Sequence, residues 1–234
     1  MSLIPYNMIV LDEPNPSQET WKNPEDVIRD GYNFQLESYI SQGIQMFKKD
    51  IGNFVLFTLV FFTISAVINL LPVLGTIAGI IVNPPLTAGY FLVADKIRRG
   101  EAYTFNNFFD GFKLHIGNLI VLSLVSSLLT GIGMVFCILP GIYLAVSYGI
   151  AVPMLIFLKL EFWDSMEASR KVIGKNFFSW LGFFIVVWLG ALIIGVLACG
   201  VGLLFTIPVA ILATYCAFVG VMSTPTENNA NNIS

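Results

Sequence analysis

Residues 51–94 read IGNFVLFTLVFFTISAVINLLPVLGTIAGIIVNPPLTAGYFLVA, with no Asp, Glu, Lys or Arg among them. A helix needs about 20 apolar residues to cross the hydrocarbon core of a bilayer. A charge-free stretch of this length therefore reads as two crossings joined by a tight turn. Two further stretches, between Lys113 and Lys159 and between Lys175 and Glu227, are equally free of charge. All 12 Lys and Arg and all 15 Asp and Glu lie outside these three stretches. The expected fold is all-α: a polytopic membrane protein of six transmembrane helices arranged as three hairpins. Every charge is expected on one face of the membrane.

Composition excludes the soluble reading. Apolar residues make up 56% of the 234-residue chain and charged residues only 12%, about half the share usual in a soluble domain. The net charge of −3 comes largely from Asp12, Glu13, Glu19, Glu25, Asp26 and Asp30, so nucleic acid is not an expected partner; membrane lipids are. Residues 1–30 hold no basic start followed by an apolar run, so no secretory signal is expected there. The organisation reads as an acidic, proline-containing tail over 1–32, a membrane domain over 33–222, and an Asn-rich, disordered tail over 223–234. Twelve cationic residues on one side against none on the other place both termini in the cytoplasm.

The membrane domain reads as an internal repeat. Ile51-Gly52-Asn53 recurs as Ile116-Gly117-Asn118, and more weakly as Gly174-Lys175-Asn176-Phe177. Each copy follows a short amphipathic stretch and precedes two apolar spans. The spans are expected at about 52–72, 74–94, 117–137, 141–159, 176–197 and 202–222. Turns are expected at Leu71–Gly75, Leu139-Pro140-Gly141 and Cys199–Gly202. Before the second hairpin, Thr104 is a candidate N-cap. Phe105, Phe108, Phe109 and Phe112 then follow at i, i+3, i+4 and i+7, the stripe of an amphipathic α-helix. Before the third, Asp164 and Glu167 have capping-box spacing, with Trp163 and Arg170 beside them. These surface helices are read as lying in the headgroup layer, with aromatic faces buried and basic residues against anionic lipid.

Small residues recur every fourth position on the even-numbered spans: Gly75, Gly79 and Asn83; Gly141, Ala145 and Gly149; Gly202, Thr206, Ala210 and Thr214. Such a groove lets another backbone approach closely. These spans also carry Pro84 and Pro85, Pro153, and Pro208, each expected to kink its helix. Spans 2, 4 and 6 are therefore expected at the centre, with the bulkier spans 1, 3 and 5 facing lipid. Asn83-Pro84-Pro85 is the most unusual intramembrane site. A functional reading makes it a broken helix lining a substrate path. The structural reading, a kink whose freed Ile80 or Ile81 carbonyl is satisfied by the Asn83 amide, is preferred. The hydroxyls of Ser147, Thr206 and Thr214 are expected to bond their own helices.

Reactive chemistry is sparse. No span holds an ionisable group of the kind that driven transporters keep there, and Lys159, at a span end, can snorkel. The single histidine, His115, excludes a zinc pair. Asp110, Glu161, Asp164 and Glu167 beside His115 offer a weak cation site. They are better explained as caps and solvated helix faces. No cofactor or metal is expected. A Cys137–Cys199 disulfide is conceivable, whereas Cys216 reads as packing.

Arg99-Gly100-Glu101, Phe109-Asp110-Gly111-Phe112, Leu139-Pro140-Gly141-Ile142-Tyr143, Glu167-Ala168-Ser169-Arg170-Lys171 and Asn176-Phe177 resemble a widespread group of uncharacterised bacterial six-span proteins. That group is similar to the membrane domain of some glycerophosphodiester phosphodiesterases. The resemblance covers about residues 34–222. It implies a bacterial inner-membrane location and no catalytic residue, since the phosphodiesterase catalytic domain has no counterpart here. The expected function is non-enzymatic, through lipid or protein contacts. The alternative is a passive transporter or channel for a neutral or amphipathic solute.

Overall fold

The computed structural model describes residues 21–70, 72–114, 116–198 and 200–224. Its elements are α1 (Pro24–Asp30), α2 (Leu36–Lys49), α3 (Ile51–Asn69), α4 (Pro72–Arg99), a 3-10 helix (Phe105–Lys113), α5 (Ile116–Phe136), α6 (Ile138–Ser147), α7 (Ala151–Phe157), α8 (Phe162–Lys175), α9 (Phe177–Phe184), a π-helical turn (Ile185–Leu189), α10 (Gly190–Leu197) and α11 (Leu203–Met222). Among the described residues the only extended pairing is an isolated bridge between Trp21 and Ser223. Five runs are long and apolar enough to cross a membrane: Ile51–Asn69, Ile116–Phe136, Ile138–Phe157, Phe177–Leu197 and Leu203–Met222. This is a helical membrane protein. α4 continues for 28 residues, and its charges, Asp95, Lys96, Arg98 and Arg99, are confined to its last turns.

Two of the expected turns lie elsewhere. α6 starts at Ile138, so Leu139-Pro140-Gly141 forms its first turn and the reversal falls at Cys137. α4 starts at Pro72, so Pro72 to Gly75 of the expected turn lie within its first turn, while Leu71 lies outside the described residues. The physical reason is shared. Proline has no N–H to lose in a first helical turn and its φ is already helical, so it opens a helix more readily than it forms the turn before one.

Proline acts unequally inside the spans. α4 runs unbroken through Pro84-Pro85 and α11 through Pro208, so the broken helix considered at Asn83-Pro84-Pro85 does not arise. Span 4 does break. α6 ends at Ser147 and α7 begins at Ala151, with Tyr148 at φ −95°, ψ 6° and Ile150 at φ −114°, ψ 14°. The ring of Pro153 clashes with the carbonyl four residues earlier. That residue is Gly149, in the middle of the gap.

Burial separates the spans. In α11, 67% of the residues in the apolar window are buried within the protein, and in Ile138–Phe157, 44%. The figures are 17% for α3, 17% for α5 and 28% for Phe177–Leu197. The second half of α4 is also buried, from Pro84 to Phe91 with few interruptions. The core is therefore built on α4, α7 and α11.

The amphipathic stretches turn their apolar faces to the protein. α2 packs along α11 through Tyr39, Gly43, Met46 and Phe47. A Cβ on Gly43 would lie 2.7 Å from the backbone nitrogen of Ala213. The Phe105–Lys113 stretch is a 3-10 helix rather than the expected α-helix, sunk against α3 and α4. Phe108 is fully buried, 4.6 Å from the ring of Phe57 and 5.3 Å from that of Phe54. Gly89 faces the Phe108 carbonyl and Gly111 faces the Pro85 carbonyl, each too closely to accept a Cβ. Two missing side chains thus let two backbones touch. Phe105 and Phe109 are half-buried, while Phe112 and Trp163 are exposed.

Candidate functional site

Five uncharged polar residues of the spans gather in one place. A cleft of about 430 Å³ opens between α4, α5 and α7, and its walls include Asn69, Asn83, Thr87, Ser123 and Ser127. All five are uncharged hydrogen-bonding groups, which are costly to leave unsatisfied in hydrocarbon. Several are partly satisfied within the protein. Ser65 Oγ donates to Asn83 Oδ1 at 3.3 Å, Thr87 Oγ1 to the Asn83 carbonyl at 3.0 Å, Asn69 Nδ2 to the Ser65 carbonyl at 2.7 Å, and Ser127 Oγ to the Ser123 carbonyl at 2.6 Å. Asn83 thus reaches across to α3 instead of capping its own helix. Ile80, whose carbonyl loses its usual helical donor because residue 84 is proline, also lines the cleft.

Two further clefts adjoin the first. One, of about 390 Å³, is nearly apolar and runs between α4, α6, α7, the π-helical turn and α11; Thr87 and Val152 belong to both. Gly149, Phe184, Trp188 and Thr214 also line it. The other, of about 420 Å³, lies between α5 and α6 and shares Ser127 with the first and Ala145 with the second. The break in span 4 and the π-helical turn in span 5 both border this space. π-Helical turns recur at functional sites because they displace the register of one helical face.

The expected packing residues divide accordingly. Gly75 abuts the Ile68 carbonyl, Gly141 lies against Met134 and Gly133, Gly202 against Ala198 and Gly195, and Ala210 is buried. Gly79 and Ala145 line the clefts, as Gly75 also does. A Cβ on Gly79 would meet only the Asn83 amide nitrogen, at 3.4 Å. Of the three expected self-bonded hydroxyls, Thr214 bonds the Ala210 carbonyl in its own helix at 2.9 Å. Thr206 donates across to Ala191 on α10 at 2.9 Å. Ser147 Oγ is buried with no hydrogen-bond partner, so it does not bond its own helix as expected. The Ser147 carbonyl accepts from Ser169 Oγ at 2.7 Å, which ties the break to α8.

Charged groups sit at the span ends. Asp95 is buried and accepts from Arg98 Nη2 at 2.7 Å, Arg99 Nε at 2.8 Å and Tyr215 Oη at 2.7 Å. Arg98 also donates to Tyr215 Oη at 2.7 Å and lies 5.6 Å from the Trp21 ring centroid. This network joins the end of α4 to α11. It was not legible in the sequence, since Asp95 and Tyr215 stand 120 residues apart. Asp50 caps α3, accepting from Asn53 N at 3.2 Å and Tyr103 Oη at 2.6 Å. Burial alone would raise its carboxyl, but these donors outweigh that and hold it below the usual carboxylate range.

The expected capping box at Asp164 does not form. α8 begins at Phe162, so Asp164 already lies in its first turn. Glu167 instead pairs with Arg170 at 2.7 Å and Lys171 at 3.4 Å. The Arg170 hydrogen bonds hold the Glu167 carboxyl below its ordinary value. Asp110 is bound by Asn107 and Lys113, each at 2.7 Å. Among the described residues no three His, Cys, Asp or Glu gather as metal ligands. His115, Cys199 and the two tails beyond 21–224 lie outside the described residues. Cys137 is a free, exposed thiol, and the Cys199 of the expected pairing lies outside the described residues.

Three curated proteins are similar to this chain. Uncharacterised proteins of Mycobacterium bovis and of one Mycobacterium tuberculosis strain are each 30% identical to it over 153 residues, and a protein of a second M. tuberculosis strain is 29% identical. The aligned region covers 64% of this chain and 45% of each relative, so the chain spans about half the length of the curated relatives it matches. No family model matches the chain. No solved structure matches it either.

Proposed function

We propose that this is a six-span, non-enzymatic protein of the bacterial cytoplasmic membrane that holds the uncharged polar part of a membrane-soluble amphipathic molecule. α4 counts as the sixth span, both termini lie in the cytoplasm, and the chain sits with the six-span group that it resembles. The observation that carries the reading is the cleft with Asn83 at its wall: five uncharged polar side chains gather within apolar spans. Such walls suit hydroxyl, ester or amide groups. They offer no counter-charge for an ion and no activated nucleophile for a reaction.

The test is lipid-soluble material retained on purification, identified by mass spectrometry after gentle detergent exchange. Asn83→Leu should keep the fold by circular dichroism and lose most of a specific neutral amphipath. Identical retention by both proteins would overturn the assignment. Passage through the protein is a second reading, favoured by the adjoining clefts that share Thr87, Val152, Ser127 and Ala145. Solute flux in proteoliposomes, reduced by Asn83→Leu, would support it.

A further inference from the structure

A cleft of about 500 Å³ lies apart from the polar clefts, where α5 begins and α7 ends. Leu114, Leu155 and Leu160 line it together with Asn118, Lys159 and Glu161. Lys159 is the only non-glycine residue with positive φ among the described residues, at 55°. Left-handed backbone costs an ordinary L-residue about 1–2 kcal/mol, so the lysine here carries a backbone penalty that glycine would lessen. Neither Lys159 nor Glu161 forms an ion pair among the described residues, although both face the same cleft. Among the described residues, an exposed cation, an exposed anion and an amide therefore border an apolar wall with no ion pair of their own, where the apolar span gives way to charged chain.

We propose that this cleft binds the headgroup of an aminophospholipid. The phosphate is placed against the Lys159 ammonium and the Asn118 amide, the primary ammonium of the headgroup against Glu161, and the glycerol end along the leucines. Charge complementarity selects the ligand. An anionic headgroup without an amine leaves Glu161 facing negative charge. A quaternary ammonium has no N–H to donate to the carboxylate, which gives up a charge-assisted hydrogen bond. The proposal rests on the membrane placement, but not on the reading of the Asn83 cleft.

The experiment uses the full chain in mixed micelles holding equal phosphatidylethanolamine, phosphatidylglycerol and phosphatidylcholine, with bound lipid read by native mass spectrometry. The wild type should retain phosphatidylethanolamine about tenfold over the other two, the ratio one charge-assisted hydrogen bond sets. Glu161→Gln should bring all three to parity while the protein stays folded. Lys159→Gln should lower retention of all three, and Lys159→Arg should restore it. Asn83→Leu should leave the preference intact, which separates this site from the intramembrane cleft. Equal retention of the three lipids by the wild type, best retention of phosphatidylglycerol, or a preference unchanged in Glu161→Gln would each overturn the proposal.

Discussion

α5 and α11 are nearly the same helix by composition. They have 21 and 20 residues, mean hydropathies of 2.3 and 2.1, and no charge. Yet 17% of the first window is buried in the protein and 67% of the second. Hydropathy cannot separate them, because lipid tails are as apolar as a protein core. Close approach does. α11 presents Ala210, Ala213, Ala217 and Gly220 to its neighbours, and α2 answers Ala213 with Gly43. α5 presents Val121, Leu124, Leu128 and Ile132 outward. A buried position in this protein is one where another backbone or ring fits, rather than one that avoids water.

The sharpest break of that contrast is a pair of truncations. Phe218, fully buried on α11 against Trp21 and Phe157, should cost about 3 kcal/mol as Phe218→Ala, the low end for a core aromatic because lipid already solvates the unpacked ring. Leu128→Ala, 59% exposed on α5, should stay within about 0.5 kcal/mol. Thermal unfolding in detergent measures both, and equal losses would mean that the two helices are not differently packed.

Insertions run the same comparison in reverse. Gly43→Leu drives a side chain into the α11 backbone and should cost about 2–3 kcal/mol with a fall in monodisperse yield. Gly131→Leu on α5, where nothing lies within 4 Å of an added Cβ, should be close to neutral.

The third test concerns the end of a lipid-facing span. Asp50→Ala removes the cap of α3 and the Tyr103 bond, at about 1 kcal/mol near neutral pH. The folded carboxyl titrates below its unfolded value, so its contribution is complete above the ordinary carboxylate range. It is lost as pH falls through the lowered value. Wild type and variant should therefore begin to converge in stability as pH falls below about 4, and meet only below the lowered value.

The smallest expected effect is a gain. Lys159→Gly relieves the left-handed backbone and should raise stability by up to about 1 kcal/mol. The same change should abolish aminophospholipid retention, so stability and binding move in opposite directions at one residue.

The class, a helical membrane protein, was legible from charge and hydropathy, because an ionised side chain in hydrocarbon costs far more than any packing preference returns. The π-helical turn in span 5 and the break in span 4 were less legible. Pro84-Pro85 looked the stronger disruptor, but the Pro153 ring meets Gly149, where the chain yields, while Pro84 and Pro85 are buried and the Pro85 carbonyl lies against Gly111. The site was half-legible. Asn83 stood out as a lone amide between apolar residues, but its companions Asn69, Ser123 and Ser127 on two other helices gave no sign of convergence. Gly89 and Gly111 were missed because neither falls in a small-residue series. Each matters only through a carbonyl contributed by the other element.

What the sequence determined by itself was where chain can lie in lipid and where it cannot, since that depends on the transfer energy of each residue taken alone. What only the tertiary structure decided was which apolar helix faces protein, which hydroxyls share a cleft, and that Asp95 meets Tyr215 across 120 residues. Those outcomes depend on pairs of groups brought within a few ångströms. Pair distances are a property of the folded chain and of no segment of it.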